Sequence, residues 1–385
     1  MPRVLLVTND FPPTLGGIQS YLRDFVATLP ANDVVVFAST QNECDAQSWD
    51  AQQQYKVYRW GAKVMLPTPA TVRRLQEIIR AEKIDTVWFG AAAPLAMMAG
   101  AARRAGAKKV IASTHGHEVG WSMLPGARQI LRYIGNSCDV VTYISSYTLN
   151  RFRRAFGDNP HYVHLPSGVS LDYFQPIATS QKEQKAAALN WHSGGPHIVC
   201  ISRLVARKGQ DLLIRAMPDI VSEFPNAQLI IVGGGAYEAK LRKLALKTFG
   251  LHSSHIVFSG KLSDGDMLSA LQAADVFAMP ARTRGAGLDV EGLGIVYLEA
   301  QACEIPVVAG NSGGAPETVT HATGVVVDGR DRAGLALALC AILKDKKRAQ
   351  RMAQAGRVHA QDRWTWEIMG KRLADIVRLS SEPSR

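Results

Sequence analysis

The chain has 385 residues, 47% of them hydrophobic and 20% charged. At ~150 residues per domain this is two or three domains, and the composition is globular, too apolar for a disordered chain. Lys and Arg number 44 against 33 Asp and Glu, a net charge of +11 that favours anionic partners and says nothing about fold.

In chain order, the first aliphatic, β-branched run is Val4–Thr8. The turn after it ends in Gly16-Gly17, where backbone N–H groups can approach a phosphate at a helix N-terminus. A simple tight turn would use the same pair. No G-x-G-x-x-G follows, which counts against a dinucleotide. Helical spacing over Ile18–Leu29 leads to a strand pattern at Val34–Ser39. A second helical pattern, Val72–Lys83, has Val72, Leu75, Ile78 and Ile79 on one side and Arg73, Arg74 and Arg80 on the other. That basic face is either simply solvated or set against an anionic bilayer surface.

Thr86–Gly90 is the next strand pattern, followed by the small apolar run Ala91–Ala102, which stops at Arg103 and Arg104. A spanning helix needs ~20 apolar residues, and the N-terminus lacks the charged-then-apolar order of a signal peptide. Neither export nor a membrane span is therefore expected. Strand pattern Lys109–Thr114 opens into Thr114-His115-Gly116-His117-Glu118, so His117 falls at a strand's carboxyl end, where it could orient a ligand or cap the loop. Val140–Ser145 and Tyr162–Pro166 complete the first series.

Residues 170–196 lack a strong period and hold a Lys/Gln/Glu stretch and Ser193-Gly194-Gly195-Pro196. They read as a domain end, a charged surface helix and a turn, dividing the chain into domains 1–170 and 171–385. The second series of strand patterns is His197–Ser202, Gln228–Gly233, His255–Gly260, Val276–Pro280, Pro306–Gly310 and Gly324–Asp328. Helical patterns over Asp211–Phe224, Glu238–Phe249, Met267–Ala274 and Arg332–Leu343 alternate with them. The first of these strands is followed by Arg203, Arg207 and Lys208, cations suited to a diphosphate, or else to plain solvation.

Glu291-Gly292-Leu293-Gly294-Ile295 leads into a helix expected to start near Gly294 and to carry Glu299. The glycines would expose amides to an anion. Eight helical residues span roughly 12 Å, so Glu291 and Glu299 could touch opposite ends of an extended nucleotide-sugar. A retaining glycosidase needs its carboxyls ~5 Å apart, and this pair does not suit one. Asn311–Glu317 reads as a turn and helix start, or as the floor of a cleft. A final helix over Trp364–Leu379 is able to pack back on the first domain.

Near-continuous apolar strands alternating with amphipathic helices define α/β layers with parallel sheets. Two Rossmann-like domains follow, with a ligand cleft expected between them beyond the carboxyl ends of their strands. Cys44, Cys138, Cys200, Cys303 and Cys340 are odd in number and widely spaced, which fits a reducing cytoplasm and no zinc site. No acidic metal cluster is apparent, and no aromatic-basic interleaving marks a nucleic-acid platform.

The Gly16-Gly17 turn, His-Gly-His-Glu, Arg203 to Lys208-Gly209, Phe258-Ser259-Gly260-Lys261-Leu262, and Glu291 to Glu299 followed by Gly-Gly-Ala-Pro-Glu together resemble the family 4 retaining glycosyltransferases of the GT-B fold, over nearly the whole chain. The sequence departs from many relatives at Pro166-Ser167-Gly168-Val169-Ser170, where they carry Asn-Gly-Val-Asp. The resemblance implies two Rossmann-like domains facing each other across a cleft, an acceptor-binding N-terminal one and a nucleotide-sugar-binding C-terminal one, and neither cofactor nor metal. By the same likeness Arg203 and Lys208 hold the diphosphate, helped by amides of Gly16, Gly17, Gly292, Leu293, Gly294 and Ile295. Glu299 would bind the ribose, Glu291 the sugar hydroxyls, His117 the transferred sugar, and backbone around Lys261 and Leu262 the base. A closer likeness within the family at Thr8–Leu22, Trp88–Met98, His115–Pro125 and Ala281–Ala302 implies GDP-mannose as donor. It also implies a phosphoinositide glycolipid as acceptor, an α-1,6 linkage made in lipoglycan synthesis, and a cytoplasmic enzyme peripheral to the anionic inner face of the plasma membrane. Another donor or acceptor, a sugar-nucleotide epimerase and a non-catalytic nucleotide-sugar binder are the alternatives.

Overall fold

The computed structural model describes residues 2–14, 16–250 and 254–378. Its contacts divide the chain into two compact units, Met1–Ser167 together with the segment from Trp366 onward, and Gly168–Thr365.

The first unit is built on a seven-stranded parallel sheet: β1 (Val4–Thr8), β2 (Val34–Ser39), β3 (Lys56–Trp60), β4 (Thr86–Phe89), β5 (Lys109–Ser113), β6 (Val140–Tyr143) and β7 (His161–His164). Their spatial order is β3-β2-β1-β4-β5-β6-β7. Val4 is paired with Val34 on one side and Thr86 on the other. Every residue of β1, β2, β4 and β5 is buried, as expected of parallel strands covered by helices on both faces. Leu5, Val7, Val35, Phe37, Val87 and Phe89 join one continuous apolar cluster, and full burial of each such side chain contributes ~1.5–3 kcal/mol. The order reverses between β1 and β4, the topological switch point at which open α/β sheets bind ligands beyond the strands' carboxyl ends.

The last helix, Trp366–Arg378, belongs to this unit. Trp366 meets the Phe25 ring edge to face at 5.1 Å, and Gly370 lies where an added Cβ would come within 2.7 Å of Thr28. Leu379, the last residue of the helical pattern read from the sequence, lies outside the described residues. Residues 168–170 fall in the second unit because Val169 donates its amide to Trp364 O (2.7 Å) and bridges Thr365. The contact boundary is therefore Ser167/Gly168, three residues before the 170/171 division expected from composition.

The second unit carries six parallel strands: β8 (His197–Ile201), β9 (Gln228–Val232), β10 (Ile256–Gly260), β11 (Val276–Met279), β12 (Val307–Gly310) and β13 (Gly324–Val327). Their order is β10-β9-β8-β11-β12-β13, with the reversal between β8 and β11. Each strand of the two sequence series is present, and the charged surface helix is observed at Thr179–Ala188. Strand β3 and several helices, among them Pro125–Ser137, Ser146–Phe156 and Lys346–Arg363, have no counterpart in the sequence reading. β3 is a half-exposed edge strand in which Lys56 and Arg59 interrupt the apolar run. Lys346–Arg363 buries only Met352, Ala353, Gly356 and Ala360, too small an apolar stripe to stand out from its charges.

Candidate functional site

In the first unit the candidate groups stand on the turns after β1 and β5. Asn9 pins the first turn by accepting from Met65 N (2.7 Å) and donating to Met65 O (3.0 Å). Asp10, next in line, is half-buried. Its amide donates to Thr8 Oγ1 (2.8 Å) and its carboxylate accepts from Gln19 Nε2 (3.0 Å). Burial pushes the Asp10 carboxyl up, and the nearby His117 imidazole pulls it back. Gly16 and Gly17 are exposed at the start of helix Gly17–Ala27, which has no side-chain N-cap and no acidic residue in its first turn. Its leading amides are therefore left to water or an anion.

On the turn after β5, the two histidines have separate roles. His115 is half-buried and donates Nε2–H to Gly90 O at the end of β4 (2.7 Å), and burial pushes its pKa down to about 4. It is a neutral structural anchor. His117 is exposed and leads helix Glu118–Met123 without capping it through its side chain. The carboxylate that closes the turn is Glu118, which accepts from His115 N and Gly116 N, both at 3.1 Å.

In the second unit Arg203, Arg207 and Lys208 follow β8. Gln210 ties the strand exit by donating to Ser202 Oγ (2.8 Å) and Arg203 O (3.1 Å). Gly209 is left-handed (φ +80°), and a Cβ there would lie 2.1 Å from Pro280 O, so only glycine lets this turn pack against the end of β11. Arg203 is exposed, with no carboxylate partner among the described residues. Lys208 is buried, and its Nζ lies 2.6 Å from Glu291 Oε2, itself buried. Arg207 pairs with Asp289 (3.1 Å) and sits 3.9 Å from Glu291. Arg282 grips both oxygens of Asp211 (2.7 and 2.8 Å), joining the loop after β11 to the helix after β8.

Glu291 is buttressed from the turn after β12. Its amide donates to Ser312 Oγ (3.3 Å), and its carbonyl accepts from Gly314 N (3.0 Å). Gly313 presses so close that a Cβ would lie 1.9 Å from Glu291 O. The Asn311–Glu317 loop thus braces Glu291. Helix Ile295–Ala302 starts after a left-handed Gly294 and has neither a side-chain cap nor an acidic first turn. Glu299, on its second turn, is half-buried, and burial pushes its carboxyl up to about 7. Lys261 is exposed and Leu262 half-buried, between β10 and the Ser263-capped helix Asp264–Gln272.

All the sequence-derived candidates therefore lie just beyond carboxyl ends of strands, His117, Gly16 and Gly17 in the first unit and the others in the second. Asp10, Asp289 and Glu118 were given no role by sequence reasoning, and Arg207 entered only as one of the three cations after β8. Asp289 carried a signal only in lying two residues before Glu291. Among the described residues no group of three His, Cys, Asp or Glu side chains could hold a metal ion.

Two parallel Rossmann-like domains, each with its polar turns at the switch-point end of the sheet, are the GT-B glycosyltransferase architecture. The structure resembles Anabaena Alr3699/HepE in complex with UDP, with a TM-score of 0.81 at 19% identity over 97% of this chain and 99% of that one. It also resembles WaaG, a glycosyltransferase involved in lipopolysaccharide biosynthesis, with a TM-score of 0.70 at 18% identity over 98% and 100% of the two chains. At such identities these likenesses concern the fold alone. Residues 15–173 match Glycosyltransferase Family 4, and residues 181–359 match Glycosyl transferases group 1. A Corynebacterium glutamicum protein is 58% identical over 99% of this chain and 98% of its own, and is named GDP-mannose-dependent monoacylated alpha-(1-6)-phosphatidylinositol monomannoside mannosyltransferase. A Mycobacterium tuberculosis protein, GDP-mannose-dependent alpha-(1-6)-phosphatidylinositol monomannoside mannosyltransferase, is 51% identical over 98% of each chain. The chain belongs to glycosyltransferase family 4.

Proposed function

We propose that this enzyme transfers mannose from GDP-mannose to a phosphatidylinositol monomannoside, forming an α-1,6 linkage with retention at the anomeric carbon. The observation that carries the reading is the 58% identity, over 99% of the chain, to the Corynebacterium enzyme of that name.

In this reading the second unit holds the donor. Arg203 and Lys208 take the diphosphate, helped by the open amides of Gly292–Ile295, and in the first unit Gly16 and Gly17 offer theirs to a phosphate. Glu299 accepts from the ribose hydroxyls, Glu291 from the mannose hydroxyls, and backbone at Lys261 and Leu262 meets the guanine. His117 contacts the transferred mannose. The acceptor hydroxyl oxygen attacks the anomeric carbon as the bond from that carbon to the β-phosphate oxygen breaks. The departing phosphate oxygen takes the hydroxyl proton on the same face, leaving GDP. Catalysis then rests on preorganised charge at the leaving diphosphate.

The acceptor is a lipid, and among the described residues no helix is long and apolar enough to cross a membrane. The enzyme accordingly works at the anionic inner surface of the plasma membrane. Helix Pro69–Ala81 supports this reading, since it buries Thr71, Leu75, Ile78 and Ile79 and leaves Arg73, Arg74 and Arg80 exposed. So does the turn at Met123 and Leu124, which are 45% and 62% exposed, with Arg151 Nη2 3.6 Å from Met123 Sδ and Arg154 exposed nearby in the same helix.

A thermal-shift panel tests the donor. GDP-mannose at 100 times its Kd should add ~2.7 kcal/mol, with UDP- and ADP-sugars giving little at equal concentration. A larger shift with a UDP-sugar would reassign the donor.

A further inference from the structure

The turn after β5 contains a buried carboxylate that the transfer chemistry above does not use. Glu118 is 3% exposed, and among the described residues no Lys or Arg is paired with it. Burying an uncompensated carboxylate is costly. Its partners are backbone: one oxygen, Oε2, accepts from both His115 N and Gly116 N at 3.1 Å. Between those amides Gly116 takes φ +93°, a left-handed conformation that gives the turn its sharpness. The other side is tied by His115, whose imidazole is bonded to Gly90 O and meets the Tyr21 ring edge to face at 4.9 Å. His117 is the one residue from Thr114 to Val119 with an exposed side chain. Its carbonyl accepts from Gly120 N (3.1 Å), and the two residues before it are held through their amides by Glu118. The groups whose charge bears on this turn are His117 itself and, through it, Asp10 from the turn after β1.

We propose that Glu118 is a positioning residue for His117: by holding the two amides that precede it, the buried carboxylate fixes the turn from which the His117 imidazole is presented to the transferred sugar. The proposal rests on the reading of His117 as the sugar contact. A carboxylate oxygen suits the task because an ionised acceptor shared by two N–H donors forms stronger bonds than a neutral one. Small displacements of a positioned group cost rate far more than binding.

The test is a double-mutant cycle in mannose transfer, with GDP affinity and melting temperature measured alongside. Glu118→Ala should lower kcat by about 10-fold or more, at donor KM and GDP Kd within about twofold of the parent. Glu118→Gln, which keeps an oxygen for both amides, should recover most of the loss. Glu118→Asp, which withdraws the carboxylate by one methylene yet keeps the charge, serves as the folded alternative should the alanine variant be unstable, and should also lower kcat. In a His117→Ala background neither Ala nor Asp at 118 should have a further effect. Equal fold-losses with and without His117, or a parent-like Glu118→Ala and Glu118→Asp, overturn the proposal. A fully active His117→Ala overturns the His117 reading itself and the proposal with it. That result is read on a different variant, so the two failures are distinguishable.

Discussion

The two units present their polar groups in opposite ways. In the second, charge is met by charge within the protein: Lys208 on Glu291, Arg207 on Asp289, Arg282 on Asp211, with Arg203 exposed at the edge. In the first, the turns after β1 and β5 are held mainly by bonds to backbone, from Asn9, His115, Glu118 and the Arg59 guanidinium on Pro12 O, and a single imidazole is exposed among them. A diphosphate carries most of the charge in a nucleotide-sugar, so a paired cation set is what a donor site needs. A sugar acceptor has only hydroxyls, which fixed, mostly uncharged groups suit better. The contrast is what a donor site in the second unit, as proposed above, would show.

The sharpest way to break that contrast is to remove the unpaired cation. Arg203→Ala is expected to lower turnover by roughly 100- to 1,000-fold, the cost of one preorganised partner of a developing charge. Its melting temperature should hardly move, because Arg203 makes no ion pair that the fold uses. Steady-state kinetics with calorimetric melting checks both halves, and near-parental kcat/KM would take Arg203 out of the diphosphate site.

Next in size is the Lys208–Glu291 pair. Glu291→Ala leaves a buried ammonium without its carboxylate, and breaking such a pair from one side costs ~3–5 kcal/mol. The variant should melt well below the parent. Added GDP should then stabilise it more than it stabilises the parent, since a phosphate takes over the vacant charge. A parental melting temperature, or an equal response to GDP, would mean that Lys208 does not face the nucleotide.

Glu299 gives a smaller effect with a definite sign. Its carboxyl is raised from the ordinary value to about 7 by burial, so it is largely protonated at pH 6 and ionised at pH 8. Ribose hydroxyls donate best to the ionised form, so GDP binding should release a proton near pH 6 and tighten as pH rises towards 8. The terminal phosphate of GDP titrates in the same range, and the difference between parent and Glu299→Gln isolates the residue. Calorimetry should show the pH dependence reduced in the variant, and an unchanged dependence would remove Glu299 from the ribose.

The smallest expected effect is at the bilayer. Each exposed basic residue near an anionic surface contributes ~1 kcal/mol, so Arg73→Glu with Arg74→Glu should weaken salt-sensitive co-sedimentation with phosphatidylinositol vesicles. GDP-mannose binding in solution should be untouched. Unchanged co-sedimentation would move the docking face to the Met123–Leu124 turn and its arginines.

Much of the fold was legible because fully buried parallel strands are unbroken apolar runs. β1, β2, β8, β9, β11 and β12 announce themselves, and the glycine positions after β8 and β11 mark where the backbone must turn tightly. β3 was not legible, since Lys56, exposed at the edge, and Arg59, paired with Asp50, interrupt its apolar run. Nor was helix Lys346–Arg363, which packs through small residues. For the candidate site, motif spacing put forward Arg203, Lys208, Glu291, Glu299 and His117. It preferred His117 to His115 but could not see the reason, that Gly90 O, 25 residues away, sequesters the His115 ring while His117 is left exposed. It could not foresee that Lys208 and Glu291 would be partners, since their 83-residue separation is closed only by the β8–β11 pairing.

The central claim is the transfer itself. Purified enzyme should be given GDP-mannose with phosphatidylinositol monomannoside in mixed vesicles, and the lipid product analysed by mass and by the anomeric coupling of the added sugar. The account predicts one added hexose, joined to the phosphatidylinositol monomannoside by an α-1,6 linkage, with stoichiometric GDP. A β-anomeric product, or hexose transfer only from a UDP-sugar or only to a soluble inositol phosphate, would contradict it.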